Sequence, residues 1–217
     1  MAAVVWDQTG ERLYETGVDH CVLYPFDKDK GYKPGVGWSG VTAVTETPSG
    51  ADVSDLWADN IKYASLRATE TFEGSIEAYM YPDEWLQCDG QAELVPGVNL
   101  GQQTRKTFGL SYRTKIGTNE DSEAGYKLHI VYGATASPSE RAYSSVNDSP
   151  EAITFSWDIS TTPVSVTGAK ETSNIIIDST KVDATKLAKL EAALYGTGEE
   201  NADPYLPLPD EIKTLLS

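Results

Sequence analysis

Few residues in the sequence have the types and spacing that catalysis or metal binding would require. The chain has two histidines, His20 and His129, whose imidazoles ordinarily titrate near neutral pH. His129 lies inside an alternating strand pattern, which favours a hydrogen-bonded structural histidine. His20 precedes Cys21, but the sequence holds no second group of cysteines and histidines that would complete a zinc site. Cys21 and Cys88 could pair, although free thiols in a reducing cytoplasm are the expected state.

Two short motifs match known binding loops only in part. Residues 27–31 read D-x-D-x-G, as at the start of a calcium loop, but the third acidic ligand and the distal glutamate are missing. We therefore expect a solvated turn. Residues 35–40 read G-x-G-x-x-G, but a β-branched run follows in place of the helix that would bind a pyrophosphate, so these glycines predict a bend or bulge. Carboxylates are abundant without a supporting motif, and the sequence favours a protein without catalytic residues, metal or cofactor.

Charge and length restrict the class of protein further. The chain has 217 residues, with 33 acidic and 17 basic side chains and a formal net charge of −16. Such a chain would repel a nucleic-acid backbone rather than bind it through phosphates. The acidity favours either simple solubility or a surface that lies close to DNA without binding it. The sequence contains no membrane-spanning run and no signal peptide, so we expect a soluble protein made in the cytoplasm.

The hydrophobic pattern predicts a mainly β (α+β) fold in a single domain, residues 1–217. Glycine, proline and β-branched residues are typical of strands separated by turns. The predicted strands cover residues 13–24, 38–46, 61–67, 72–81, 105–116, 126–132, 152–159, 161–166 and 174–177. Residues 82–86 predict a short helical turn.

One longer helix is predicted near the C-terminus. Asp183 is its expected N-cap and Gly196 its expected end, and a leucine stripe would pack on a sheet. Residues 1–12 predict an N-terminal arm. Residues 197–217 predict a proline-containing C-terminal arm, which either reaches over a neighbouring molecule or is disordered.

The stretch from residue 37 to residue 81 predicts a sheet with two unlike faces and a long hairpin excursion. Alternation in residues 72–81 places an apolar set on one face, namely Phe72, Gly74, Ile76, Ala78 and Met80. The acidic set on the other face is Glu73, Ser75, Glu77 and Tyr79. Residues 47–60 predict a loop, and this organisation is more typical of a building block than of a catalyst.

Several blocks, in order along most of the chain, resemble the major tail proteins of tailed bacteriophages. Residues 14–25 (YETGVDHCVLYP), 40–50 (GVTAVTETPSG) and 72–84 match the first blocks, the last through a GxIEAYxYPDE pattern. The later blocks are 105–112 (RKTFGLSY), 126–134 (YKLHIVYGA), 147–157 (NDSPEAITFSW) and 177–196. The chain departs from the family at Cys21, where a small residue such as glycine is expected.

The resemblance implies the fold and the function of a tail tube subunit. It implies a β-sandwich or partial barrel with a flanking α-helix and a long hairpin loop, and an inner sheet that closes into a barrel across a hexameric ring. Rings stack into a tube that encloses the tape-measure protein and conducts genomic DNA to the host. Other implied partners are the tail tip or baseplate and tail terminator proteins. The tube is assembled in the host cytoplasm and becomes part of the virion.

On this basis we expect Glu73, Ser75 and Glu77 to face the lumen, where carboxylates would repel DNA phosphates. We also expect residues 47–60 to form a ring-stacking loop, mobile in the monomer. Its candidate residues are Pro48, Asp52, Asp55, Leu56, Trp57 and Asp59. The alternative is a non-viral β-sandwich that binds carbohydrate, because tyrosines and tryptophans are scattered over the strands.

Overall fold

The computed structural model describes residues 4–145, 152–198 and 203–217. The strands are β1 (Tyr14–Asp27), β2 (Gly31–Tyr32), β3 (Val36–Gly37), β4 (Val41–Glu46), β5 (Ser49–Gly50), β6 (Val53–Ala58), β7 (Ile61–Arg67), β8 (Glu70–Thr71), β9 (Glu73–Ala78), β10 (Ala92–Val95), β11 (Val98–Leu100), β12 (Phe108–Gly117), β13 (Gly125–Ala136), β14 (Phe155–Thr161) and β15 (Asn174–Asp178). The helices are α1 (Trp85–Cys88), α2 (Ala184–Tyr195) and α3 (Pro209–Leu216). The prediction of a mainly β fold is confirmed.

A nine-stranded antiparallel sheet forms the body of the molecule, with the order β2-β1-β12-β13-β14-β9-β4. The sheet divides at β13, whose first half pairs with β15 and whose second half pairs with β14. Gly133 lies between the two halves, at a φ of 60°, and the register against β12 shifts at the same place. This bulge turns the sheet, because two residues of one strand lie opposite one residue of its partner.

The sheet bends until its two ends approach each other. Cα atoms of β1 and β4 come within 8 Å, but β4 has β9 as its strand partner and β1 pairs with β12, β2 and β3. The described strands therefore form a curved sheet and no closed barrel. The concave face of this sheet is called the inner face below, and the opposite face the outer face.

An aromatic core fills the inner face. Trp38, Trp85 and Trp157 lie with ring centroids 4.6 to 5.7 Å apart, and the Phe108 ring is 5.0 Å from that of Trp85. Trp85 is supplied by the short helix α1, which Gly90 follows at a φ of 75°. The predicted helical turn at residues 82–86 thus closes the core from one end, where it buries a large apolar side chain.

A second core lies on the outer face of β1, β12 and β13, beneath the helices. Helix α2 is predicted correctly: the Asp183 carboxylate accepts hydrogen bonds from the N–H groups of Thr185 and Lys186, and Gly196 ends the helix. Its buried stripe consists of Leu187, Leu190 and Leu194. Each such leucine contributes roughly 1.5–3 kcal/mol on burial, so the stripe holds α2 on the sheet.

The C-terminal segment packs on the chain itself, which corrects the prediction for the part of residues 197–217 that the structure describes. Leu206 and Ile212 are buried in the second core. The hydroxyl of Tyr132 donates to the carbonyl oxygen of Pro207 (2.7 Å), and helix α3 lies beside α2. Proline-containing sequence alone did not reveal this packing, because the burial depends on a groove formed by distant strands.

Most predicted strands begin or end a few residues away from the observed ones, and two of these differences change the description of the sheet. Residues 161–166 contribute only the end of β14 and an isolated bridge between Val164 and Thr172. The strand predicted over residues 72–81 ends at Ala78, so Met80 is 62% exposed instead of part of the apolar face. Ile76 and Ala78 are buried as predicted.

We predict that Gly133→Ala destabilises the fold strongly. An added Cβ would lie 2.1 Å from the carbonyl oxygen of Thr162, at a φ that L-residues rarely adopt. We expect a loss of about 3 kcal/mol or more in the free energy of unfolding, measured by urea denaturation. Gly17→Ala is the matched control, since Gly17 also has a positive φ (67°) but a Cβ added there would meet nothing within 4 Å. It should lose only about 1 kcal/mol; equal losses would show that steric contact at the bulge is unimportant.

Candidate functional site

An acidic surface lies on the outer face of β4, β9 and β14. Alternation along β9 turns Glu73, Ser75 and Glu77 away from the buried Ile76 and Ala78. The sequence therefore predicted correctly that these three side chains share one face. The acidic face is defined here as these three residues and their outward-facing neighbours on the flanking strands, namely Ala43, Thr45, Ser156, Asp158 and Ser160.

The acidic face contains no cation. Strands β4, β9 and β14 carry no lysine or arginine. Glu73, Glu77 and Asp158 take part in none of the ion pairs formed among residues 4–145, 152–198 and 203–217. Uncompensated carboxylates flanked by hydroxyl groups give this face a negative potential, which is suited to repelling an anion rather than to binding one.

The predicted loop at residues 47–60 is largely regular structure, and this is a correction. Strands β6 and β7 pair into a hairpin ribbon that projects from the sheet, while Ser49–Gly50 and Glu70–Thr71 pair at its base. Asp59 and Asn60 form the turn at positive φ (51° and 61°), as a tight hairpin requires. Residues 61–67 are a strand as predicted, but they pair within this ribbon and not with the main sheet.

The ribbon has one polar and one apolar side. On the polar side, Asp55 accepts from Lys62 (2.8 Å) and from the hydroxyl of Ser65 (2.7 Å). Register places five apolar residues on the other side with Ser54, namely Leu56, Ala58, Ile61, Ala64 and Leu66, whereas Val53 and Trp57 share the side of Asp55. Leu56, Ile61 and Leu66 are 44–63% exposed. The ribbon therefore presents an apolar side that the described part of its own chain leaves open to solvent.

The other predicted ring-stacking residues lie around this ribbon. Pro48 and Asp52 are exposed at its base, and the carbonyl oxygen of Asp52 accepts from the N–H of Ala68. Trp57 is 68% exposed on the polar side, and Asp59 is at the tip. The structure thus places all six candidates on one projection, although Leu56 and Trp57 point to opposite sides of it.

A second ribbon, β10–β11, was not predicted from the sequence. Its register places Glu93 opposite Asn99 on one side and Ala92 opposite Leu100 on the other. Val98 shares the side of Leu100 by alternation, and a register shift after Glu93 brings Val95 opposite Val98, so Val95 lies on the same side. Val95, Val98 and Leu100 are 44–53% exposed. Pro96-Gly97 between two short apolar runs is a turn signal that the sequence offered and the strand prediction did not use.

The N-terminal arm is exposed along its described length. Val4, Val5 and Trp6 are 64–77% exposed, and the N–H of Gly10 donates to the side-chain oxygen of Asn119 (2.9 Å). The arm and the two ribbons together carry more than half of the large apolar side chains that are exposed in the described structure. Exposed apolar surface is therefore concentrated on projections instead of being scattered.

A polar cluster on the inner face was only partly foreseen. His129 is buried, as expected for a structural histidine: its Nδ1 lies 3.2 Å from Glu46 and its Nε2 3.0 Å from the hydroxyl of Thr114. Tyr112 stacks on the imidazole and donates its hydroxyl to Glu46 (2.5 Å). The hydrogen bond to His129, together with that from Tyr112, lowers the pKa of Glu46. Glu46 thereby ties the end of β4 to β12 and β13.

The order carboxylate, imidazole, hydroxyl in this cluster matches that of a hydrolytic triad. However, the hydroxyl of Thr114 also lies 3.4 Å from the carboxylate of Glu15. Thr114 is in the middle of β12, whose neighbours β1 and β13 use the backbone N–H groups that an oxyanion hole would need. This geometry favours a structural role for the cluster.

A second network joins β1, β12 and α2. Arg113 donates to Asp19 (3.0 Å), lies 3.7 Å from Glu191 and stacks over Tyr126. Neighbouring His20 adopts a φ of 50°, at a bulge in β1. Burial raises the pKa of the adjacent Cys21 thiol to about 12, so this cysteine is poorly suited to act as a nucleophile.

The remaining motifs form no recognisable binding loop. Cys21 and Cys88 are free thiols. Asp27 accepts hydrogen bonds from the N–H groups of Asp29 and Lys30, which is a solvated turn as predicted. No group of three or more potential metal ligands occurs within the described ranges. In the same residues, no helix has both the length and the apolar character needed to cross a membrane.

The fold and these surfaces define a mainly β protein built on one large, curved antiparallel sheet, with an acidic face and exposed apolar projections. Comparison of the sequence with protein-family models and with curated proteins finds no match.

We predict that Glu46 makes stability depend on pH in the acidic range. The pKa of Glu46 in the folded state lies below its ordinary value of 4.5. Its contribution to the free energy of unfolding is therefore fully present above pH 4.5 and is lost as the pH falls through the folded-state pKa. Urea denaturation from about pH 5.5 to about pH 3 should show a smaller acid-induced loss for Glu46→Gln than for the unaltered protein. His129→Gln should also reduce the acid-induced loss of stability, since it removes the imidazole that contributes most to lowering the pKa of Glu46. An unchanged acid dependence in Glu46→Gln would contradict this assignment.

Proposed function

We propose that this protein is a tail tube subunit of a long-tailed bacteriophage. In this proposal it forms hexameric rings that stack into a tube around a tape-measure protein, and the tube later conducts genomic DNA. The ordered sequence blocks support the proposal, as does the combination of a curved antiparallel sheet with an acidic face. Tail tip or baseplate and tail terminator proteins would bind the ends of the tube in the virion.

The acidic face is the observation that carries the proposal. A conduit for DNA must not hold the phosphates, and three adjacent strands without lysine or arginine satisfy that requirement. Glu73, Ser75 and Glu77 would line the lumen together with Asp158. Carboxylates act over a screening length of roughly 8–10 Å at physiological salt, so a ring of them repels DNA close to the wall.

The free edge of β4 supports closure of the sheet across subunits. Among the described strands, β4 pairs with β9 on one side and has no hydrogen-bonded strand partner on the other, although Cα atoms of β1 in the same chain come within 8 Å of it. An unpaired strand edge invites pairing with another chain, and a ring in which each edge meets a neighbour removes that hazard. The inner barrel of the tube would then be formed by β4, β9 and β14 of each subunit.

The exposed ribbons and the N-terminal arm support self-assembly. A monomeric soluble protein rarely concentrates large apolar side chains on projecting segments. In the proposed tube these segments lie between subunits, with the β6–β7 ribbon contacting the next ring. The exposed residues at its base and tip, Pro48, Asp52 and Asp59, would surround that contact.

The alternative is a carbohydrate-binding module. Trp57 and Tyr63 on the β6–β7 ribbon are 68% and 74% exposed, and exposed aromatic rings can stack on sugars. This function requires no oligomer. Binding on a glycan array by a protein that remains monomeric would favour it over the tube.

Negative-stain electron microscopy over a range of protein concentrations tests the proposed function. A tail tube subunit should form rings or tubes with a central channel as concentration rises. A protein that stays monomeric at every concentration, in light scattering as well as in micrographs, would overturn the proposal.

We predict that Glu73→Lys with Glu77→Lys converts the channel wall into a DNA-binding surface without preventing assembly. Tubes of the double variant should retain double-stranded DNA in a filter-binding assay, with a binding constant that falls steeply as salt is raised. In a phage carrying the variant, genome release should be slowed or stalled. The charge-matched control, Glu120→Lys with Glu123→Lys in the turn between β12 and β13, should behave like the unaltered protein. If tubes of the first variant do not retain DNA, the assignment of Glu73 and Glu77 to the lumen is wrong.

A further inference from the structure

In both ribbons, a carboxylate on the polar side is hydrogen-bonded within the ribbon itself. On the polar side of β6–β7, Asp55 is paired with Lys62 and Ser65. On the polar side of β10–β11, the carboxylate of Glu93 accepts from the N–H of Gly97 (3.1 Å). The carboxylates of Asp55 and Glu93 are thus paired within their own ribbons, whereas the apolar sides are exposed. On the polar side of β6–β7, Val53 and Trp57 are exposed as well.

We propose that the apolar side of the β6–β7 ribbon packs on the apolar side of the β10–β11 ribbon of a second copy of this chain. This pairing rests on the proposed function and specifies which surface receives the projecting ribbon. This contact brings Leu56, Ile61 and Leu66 of one copy against Val95, Val98 and Leu100 of the other.

The shape and composition of the two sides support this pairing. Neither side carries a charged residue, so their contact buries no unpaired charge. An isolated two-stranded hairpin is only marginally stable in water, and packing an apolar side against a second hairpin is a general way to stabilise it. The partner must carry a flat apolar strand surface, and each copy exposes one on β10–β11.

A contact between unlike ribbons also accounts for both projections at once. If β6–β7 paired with itself, assembly would stop at two copies and β10–β11 would remain exposed. A contact between two different surfaces leaves a free β6–β7 ribbon on one copy of the pair and a free β10–β11 ribbon on the other. Further copies can therefore be added, and a ring or a filament forms. The pairing therefore gives the assembly a direction.

Site-specific cross-linking tests the pairing. Ala64→Cys lies on the apolar side of β6–β7 and Ala92→Cys on that of β10–β11. When the two single variants are mixed at a concentration that supports assembly, a short bifunctional maleimide should produce a mixed dimer. Cys21 and Cys88 are buried, and burial raises the pKa of both thiols to about 12, so the native cysteines should not react.

The matched control moves each cysteine to the polar side of the same ribbon, as Ser65→Cys and Asn99→Cys. This pair should give at least tenfold less mixed dimer. Equal yields from the two pairs, or a yield from Ala64→Cys alone that matches the mixture, would overturn the pairing.

A charge exchange provides a second measurement that does not depend on cysteine reactivity. Leu56→Lys and Val95→Glu should each raise the concentration at which tubes form by at least tenfold, and a mixture of the two variants should recover much of that loss. Circular dichroism should show that each variant remains folded. If the unaltered protein forms tubes but neither variant changes tube formation, the pairing fails while the proposed function stands. If the unaltered protein never assembles, both fail.

Discussion

Strand β13 changes its hydrogen-bonded partner from β15 to β14 along its length, and the rest of the structure depends on this change. Its first half holds β15 and the helical layer, and its second half holds β14, β9 and β4. The bulge at Gly133 separates the two halves, where the carbonyl oxygen of Thr162 occupies the space a side chain would need. Without this turn, the strands that carry the acidic face could not curve away from those that support the helices.

Because the sheet divides, it can bury both faces of its central strands. Phe108, Leu110 and Tyr112 enter the aromatic core, whereas Tyr24 and Leu128 meet the helices. Burial on both faces gives the single chain two hydrophobic cores that stabilise its fold. The ribbons contribute little to either core, so their apolar sides remain exposed. In the proposed tube, folding and assembly would therefore use different residues.

Local patterns predicted the elements whose partners lie nearby in sequence. Helix α2 was located to its cap because Asp183, the leucine stripe and Gly196 are local signals. Alternation likewise gave the faces of β9. The partners of the elements were harder to predict. Residues 61–67 were recognised as a strand, but their pairing with residues 53–58 was missed, since the tight Asp59-Asn60 turn was not recognised as a hairpin signal. The packing of Leu206 and Ile212, and the hydrogen bonds from β12 and β13 to Glu46, join residues far apart in the chain. No periodicity encodes such contacts.

Net charge makes apolar contacts between copies necessary in the proposed tube. Subunits that each carry a formal charge of −16 repel one another. Salt screens this repulsion beyond roughly 8 Å, but it supplies no attraction of its own. Ion pairs offer little compensation, because acidic side chains outnumber basic ones and several cations already face carboxylates of their own chain, as Lys62 does on its ribbon. Attraction between copies must therefore come from surfaces without charge, and the apolar sides of the two ribbons meet that condition while leaving the acidic face free to repel DNA.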